Sequence, residues 1–325
     1  MIGARLPIVV VVISILTTGT AFASSLEGDL ALPSFSPPIP QVAPGERAVA
    51  TATSSSQRLE RFSLDRAMSH VRRLAGRIGT RVRAHTGEKK AAHYVAKRFR
   101  SLGYRTHVNT FPVDGDRSRN VVAKWPSSAR YGIVLGAHMD TVPGSPGAND
   151  NASGVAVLLE TARLIAAREP SRWVKLVAFG SEEYGVDGRH HVGSSEFVER
   201  LGPRGRRRLA GMVSIDMIAD GRPLLTGTSG IGPPVAARSL FRTVTAKTNI
   251  GLRYITFCDC SDHGPFEHAG IPATFLYSGK EPDYHSSSDV PQNLIPRDLR
   301  RTGRAVRAFV ADVDQRLVRH WRSPG

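Results

Sequence analysis

Cysteine is nearly absent, with two residues in a chain of 325. That excludes a disulfide scaffold and an all-cysteine zinc site. Aromatic residues reach only 7%, which leaves little surface for stacking nucleic-acid bases. Lysine is scarce as well: seven lysines stand beside 37 arginines, which are distributed along the whole chain. Acidic residues are outnumbered, 28 against 44 Lys and Arg, for a formal net charge of +16. An excess of that size invites a nucleic-acid or membrane reading. No helix-turn-helix, RNA-binding or zinc-finger spacing accompanies it, and no apolar run approaches the roughly 20 residues of a spanning helix. A Gly-x-Ser-x-Gly elbow is missing, which disfavours a serine hydrolase, and so is a phosphate-cradling glycine loop.

What is present begins with an export signal. Arg5 supplies a positive start, Leu6 to Leu16 a short apolar run, and Ala21-Phe22-Ala23 a small-x-small cleavage pattern. Residues 1–23 therefore predict a secreted protein with no stable membrane anchor after cleavage. Residues 24–61, rich in proline and serine, read as a linker or a pro-segment, because they cannot bury enough apolar surface to offset ordering. With 41% apolar residues overall, residues 62–325 are long enough for one catalytic domain.

From Ser63 the pattern turns helical. Leu64, Met68, Val71, Leu74 and Ile78 recur at three- and four-residue steps, as do Ala91, Val95, Phe99 and Leu102 before Gly103. Strands are predicted over 106–113 and 120–125. After them, apolar runs at 133–137, 174–179, 212–215 and 273–277 alternate with helices near 153–167, 194–201, 234–248 and 297–319. This alternation predicts a three-layer α/β/α fold on a central, mostly parallel, mixed sheet.

In such sheets the functional site lies at the carboxyl ends of the strands. The run 133–137 ends in His138-Met139-Asp140, the next in Glu182-Glu183, another in Asp216, and the last leads to Tyr284-His285; Asp150 sits in a Gly/Pro/Asn loop before a helix. Taken singly, a histidine at a strand end is most often structural, an aspartate before a helix is commonly an N-cap, and a Glu-Glu pair is commonly solvated. Together they supply two imidazoles and several carboxylates, a donor set suited to divalent metal, with zinc leading. Two ions would need about five such ligands, one of them a bridging carboxylate.

These stretches resemble the secreted di-zinc aminopeptidase family, which includes bacterial leucyl aminopeptidases and relatives of glutamate carboxypeptidase. The resemblance rests on Gly136–Val142, Gly147–Gly154, Phe179–Glu183, Ser214–Met217, Ser261–His263 and Tyr284–Asp289, in matching order and spacing from about residue 62 to the end. It implies two Zn2+ per chain. Asp150 would bridge the metals, His138 and Asp216 would complete one site, and Glu183 and His285 the other. It further implies Glu182 as general base and acid, Asp140 as acceptor of the second ring N–H of His138, and Tyr284 as hydrogen-bond donor to the developing oxyanion. Cys258 and Cys260 fall just before Ser261, where relatives can carry a disulfide across a longer gap; a bridge and two free thiols both remain open.

Asn151-Ala152-Ser153 matches a glycosylation sequon but falls inside the metal loop and is discounted. The arginines of the last predicted helix, Arg300, Arg304 and Arg307, fall mostly off its apolar stripe and read as a solvated face. The expectation is a monomeric, zinc-dependent aminopeptidase acting on peptide substrates, with no nucleic-acid partner. Alternatives are a carboxypeptidase or other amide hydrolase of the same fold, a non-catalytic binding domain, or a basic anion-binding protein.

Overall fold

The computed structural model describes residues 61–279 and 281–323. The export signal read at 1–23 and the segment 24–60 lie outside the described residues. Helix α1 (Leu64–Val71) starts where the Ser63 side chain accepts the Arg66 N–H, and it continues as a wider π-helical stretch, Arg72–Ile78, to Gly79 at φ +75°. Helix α2 (Thr86–Ser101) is followed by Gly103 at φ +89°, a left-handed position that glycine adopts without steric cost.

Strands β1 (Arg105–Val113) and β2 (Asp116–Lys124) form an antiparallel hairpin. Its two turn residues, Asp114 and Gly115, both have positive φ, as a two-residue hairpin turn requires. Then follow β3 (Gly132–His138), α3 (Gly154–Ile165), β4 (Val174–Phe179), α4 (Val192–Arg206), β5 (Leu209–Ile215), β6 (Leu224–Thr228), α5 (Val235–Lys247), β7 (Leu252–Thr256), α6 (Gly264–His268), β8 (Ala273–Ser278), α7 (Pro296–Ala311) and α8 (Gln315–Arg322).

The eight strands lie in the order β1-β2-β4-β3-β5-β8-β6-β7. The central four, β4-β3-β5-β8, run parallel; β2 meets β4 antiparallel, and β6 meets β8 antiparallel. Every residue of β3 and β5 is buried, because helices cover both faces and the strands need no polar alternation. Ile133, Leu135 and Ala137 join one core with α1, α2, α3, α5, α7 and α8; Val134, Val177, Phe179 and Met212 join a second core with Phe197 of α4 and Phe266 of α6. The mixed three-layer architecture is that expected from the alternation.

Three elements are additional to the expectation: β6, β7 and the short α6. One element differs. The single helix predicted over 297–319 is two, because the chain breaks at Asp312 and restarts where Asp314 accepts the Leu317 N–H at 2.8 Å. Among the described residues no helix is long and apolar enough to cross a membrane.

Candidate metal centre

The four central strands deliver their donors at one sheet edge. His138 is the last residue of β3, Glu182 and Glu183 follow β4 by three and four residues, Asp216 follows β5 directly, and His285 comes from the loop after β8. Among the described residues, four of the seven non-glycine residues with positive φ lie here: Ser181 before Glu182, His191, Met217 after Asp216, and His285 itself. Left-handed backbone is costly for such residues and persists where the surrounding structure imposes it, as at functional sites.

The donor atoms converge. His138 Nε2 lies 3.1 Å from Asp150 Oδ1 and 3.1 Å from Asp216 Oδ1. His285 Nε2 lies 3.2 Å from Asp150 Oδ2 and 3.1 Å from Glu183 Oε2. Asp150 therefore turns one oxygen toward each histidine. Two groups of three donors fall within 4.8 Å of one another: His138, Glu182 and Asp216, and His138, Asp150 and Glu183. Glu182 Oε2 is 3.9 Å from His138 Nε2, close enough to share the first group. Its assignment as a base, apart from the ligands, comes from the family resemblance.

The loop bearing Asp150 is locked from several sides. Asp289 accepts the backbone N–H groups of Asn149 (2.6 Å) and Asp150 (3.0 Å). Asn149 Oδ1 accepts the Ala219 N–H at 2.9 Å, and Ser153 Oγ donates to the Asn149 carbonyl at 2.7 Å. The Asp150–Asn151 peptide is cis. Asn151, not Asp150, accepts the Gly154 N–H at the start of α3 (2.8 Å), so the capping role considered for Asp150 is filled by its neighbour and the Asp150 carboxylate is left for the site. Asn151 is fully buried, out of reach of any glycosyl donor.

Asp140 stands beside His138, but its Oδ1 is 3.7 Å from Nδ1, longer than a hydrogen bond. Its two oxygens instead accept the backbone N–H groups of Glu182 and Glu183, each at 3.1 Å. Asp140 thus fixes the segment that carries both glutamates. Ser261 Oγ donates to Asp216 Oδ2 at 3.0 Å, tying one of the resemblance motifs to a donor. Tyr284 is half exposed at the rim and stacks on His285, with ring centroids 3.7 Å apart. A cavity of about 100 Å³ opens among His138, Asp150, Glu182, Met217, Cys260 and Tyr284.

Electrostatics mark the same cluster. Burial opposes the charged ring of His138, yet the carboxylates of Asp216 and Glu182 outweigh it and hold its pKa well above 6.5. Burial lifts Glu182 and Glu183 well above the ordinary carboxyl range, and Asp150 lifts Glu183 further. His285 is raised to about 10 against its own desolvation, by Asp150 and Glu183. His138 Nδ1, Glu183 Oε1 and His285 Nε2 are buried without an aligned hydrogen-bond partner. Buried acids crowded beside unsatisfied imidazole nitrogens are a donor set that a divalent cation would satisfy.

Three contributors carry little sequence signal. His191, at the start of α4, sets Nε2 3.0 Å from Glu182 Oε1. Asp289, the last residue of the Tyr284–Asp289 stretch, acts through its carboxylate, which holds only backbone N–H groups, those of Asn149 and Asp150. Arg81, fully buried, donates from its guanidinium to the carbonyls of Met139 (2.7 Å), Gly79 (3.0 Å), Pro146 (2.5 Å) and Gly147 (2.8 Å). Cys258 and Cys260 are joined in a disulfide, at the margin of the cavity.

Fold and donor set together define a three-layer α/β chain with a carboxylate–imidazole centre at the carboxyl ends of its parallel strands. The profile of peptidase family M28 matches residues 120–310, and the chain belongs to that family. It is 29% identical over 252 residues to leupeptin-inactivating enzyme 1 of Streptomyces exfoliatus, covering 70% of this chain and 56% of that protein. It is 31% identical over 206 residues to aminopeptidase YwaD of Bacillus subtilis, covering 59% of this chain and 44% of the relative. The chain thus spans about half the length of these curated relatives. Among solved structures, BSAP, a zinc aminopeptidase from Bacillus subtilis, shares the fold at a TM-score of 0.72 and 21% identity, over 78% of this chain and 96% of that one. A glutaminyl cyclase from Fimbriiglobus ruber superposes at 0.67 with 25% identity, over 78% and 96%.

Proposed function

We propose that the chain is a secreted, zinc-dependent aminopeptidase that releases N-terminal residues from peptides. Two Zn2+ ions would be held by His138 and Asp216 on one side, Glu183 and His285 on the other, and Asp150 between them. The observation that carries this reading is the Asp150 carboxylate, with one oxygen 3.1 Å from His138 and the other 3.2 Å from His285, a posture suited to serving two cations at once. Aminopeptidase relatives and a zinc aminopeptidase of the same fold support it.

When bound, the zinc ions would polarise the scissile carbonyl and make water available as a nucleophile near neutral pH. Glu182 would take the proton from the attacking water and return it to the leaving amine. Its burial, which raises its proton affinity, suits a group that must hold a proton for part of each turnover. Tyr284, at the open rim, would donate its phenol hydrogen to the carbonyl oxygen as negative charge develops there. Asp140 would keep Glu182 and Glu183 in register through their amides. Burial of His138, Asp216 and Asp150 keeps bulk water from competing for these groups.

The test is a panel of aminoacyl-anilides with N-acylated controls, assayed with chelator and with zinc added back. Free-amine substrates are expected to be cleaved, chelator to abolish cleavage and zinc to restore it. Equal hydrolysis of blocked and free amines would overturn the aminopeptidase reading, and chelator-insensitive hydrolysis would overturn the metal.

A further inference from the structure

The net charge is local. Arginine is spread along the chain, but acids are not: between Arg61 and Arg105 there are thirteen Lys and Arg against only Asp65 and Glu88, a net +11 of the chain's +16. The other 280 residues together carry +5. Within the segment, Arg81, Arg83 and Glu88 are buried, so the outward charge comes from cations opposed by a single exposed acid.

The structure folds these cations around a cleft. Arg73, Arg77, Lys89, Lys90, Lys97 and Arg98, from the π-helical stretch and α2, edge a cleft of about 1000 Å³ with no acidic side chain in its lining. A second cleft of about 860 Å³ shares Arg73, Arg77 and Tyr94 with it and adds Arg72, again with no acid. Among the described residues, none of these seven cations has a carboxylate within ion-pair distance, although ion pairs are formed by arginines elsewhere. Arg98 Nε is buried with no hydrogen-bond partner. Like charges held this close without counter-charge repel, and a bound anion relieves that.

We propose that this double cleft on α1–α2 binds a linear chain of phosphate groups lacking bases, such as a polyphosphate or a polyol phosphate. The concave shape suits a strand more than a flat bilayer. Guanidinium forks match phosphate oxygens, with Lys89, Lys90 and Lys97 adding point charge. Nothing in the lining stacks bases: Tyr94 is the sole aromatic among the lining residues besides His93, its hydroxyl is 2.6 Å from buried His70 Nδ1, and Arg73 lies over its ring. The proposal is independent of the peptidase reading, since no proposed metal ligand lines either cleft.

The experiment is a binding titration of the chain with short inorganic polyphosphate across a range of salt. Parallel titrations use a heparin fragment and a single-stranded oligonucleotide of equal charge, and phosphatidylglycerol vesicles. Polyphosphate affinity is expected to fall about ten-fold or more in Arg77→Glu/Lys90→Glu, with the salt slope reduced by about two. It is expected to be nearly unchanged in Arg204→Glu/Arg207→Glu, a charge-matched pair at the C-terminal end of α4. The milder Arg77→Gln/Lys90→Gln is read beside it, with circular dichroism confirming that each variant is folded. Equal losses in both charge-reversed pairs would overturn the site. So would tighter binding of the oligonucleotide, heparin or vesicles than of polyphosphate, each of which names a different ligand.

Discussion

His191 holds Glu182 at both ends: its Nε2 is 3.0 Å from Oε1, and its backbone N–H donates to the Glu182 carbonyl at 2.7 Å. Few geometries fix a carboxylate so fully, and here the grip is made by one residue at φ +52°. Outer partners of this kind commonly contribute about 10–100-fold to activity. His191→Phe is therefore expected to lower kcat by about that factor, with KM and metal content little changed. His191→Gln, which keeps a donor, should recover part of the loss. Wild-type kcat in both variants would show that Oε1 needs no partner.

Glu182→Gln keeps the shape and removes the proposed base. Loss of a general base typically costs about 10²–10⁴ in rate, and the variant is expected to show that loss in kcat while elemental analysis still finds two metals. Loss of a metal would instead place Glu182 among the ligands, as its 3.9 Å approach to His138 permits.

Arg81 is a stability determinant. Its guanidinium satisfies four carbonyls in a fully buried setting, and each orphaned buried acceptor costs about 1–3 kcal/mol. Arg81→Lys keeps the charge but cannot reproduce the fork. Denaturant unfolding should show a loss of at least about 3 kcal/mol for Arg81→Lys and more for Arg81→Ala. A change below about 1 kcal/mol in either would mean the carbonyls find other donors.

His70 sets a pH dependence of folding. Burial, with Arg98 and Arg66 adding like charge, lowers its pKa from 6.5 to about 4. Between those values the unfolded chain binds a proton that the folded chain excludes. The stabilisation is complete above pH 6.5 and is lost as pH falls toward 4, a span of roughly 3 kcal/mol. His70→Gln should flatten that part of the stability profile, read from urea melts at pH 7 and pH 4.5. An unchanged difference between the two pH values would exclude His70 as its source.

Much of this was legible in the sequence. Continuous apolar runs announced strands buried on both faces, and the rule that sites lie at strand ends drew attention to His138, Glu182, Glu183 and Asp216. Edge elements were harder to read. Strand β7 buries only its first residue, and β6 is five residues long, buried throughout and interrupted by Gly227, so neither shows a clean period. Helix α6 spans five residues, too short for periodicity to register. Arg81 leaves no sequence signal because its partners are backbone carbonyls, which no side-chain pattern reveals. His191 meets Glu182 only in the folded chain. The local charge excess was there to be counted, but only folding shows the clefts that it lines.

The anchoring of the first described residues sets a limit on maturation. Phe62 is buried under Gly303, Ser63 N–H donates to Glu160 Oε1 at 2.9 Å, and Arg81 reaches the loop that leads to Asp150. A cut beyond Phe62 would unseat α1, and a cut beyond Arg81 would release the loop that carries Asp150. The amino terminus of any active processed form should therefore fall before residue 62.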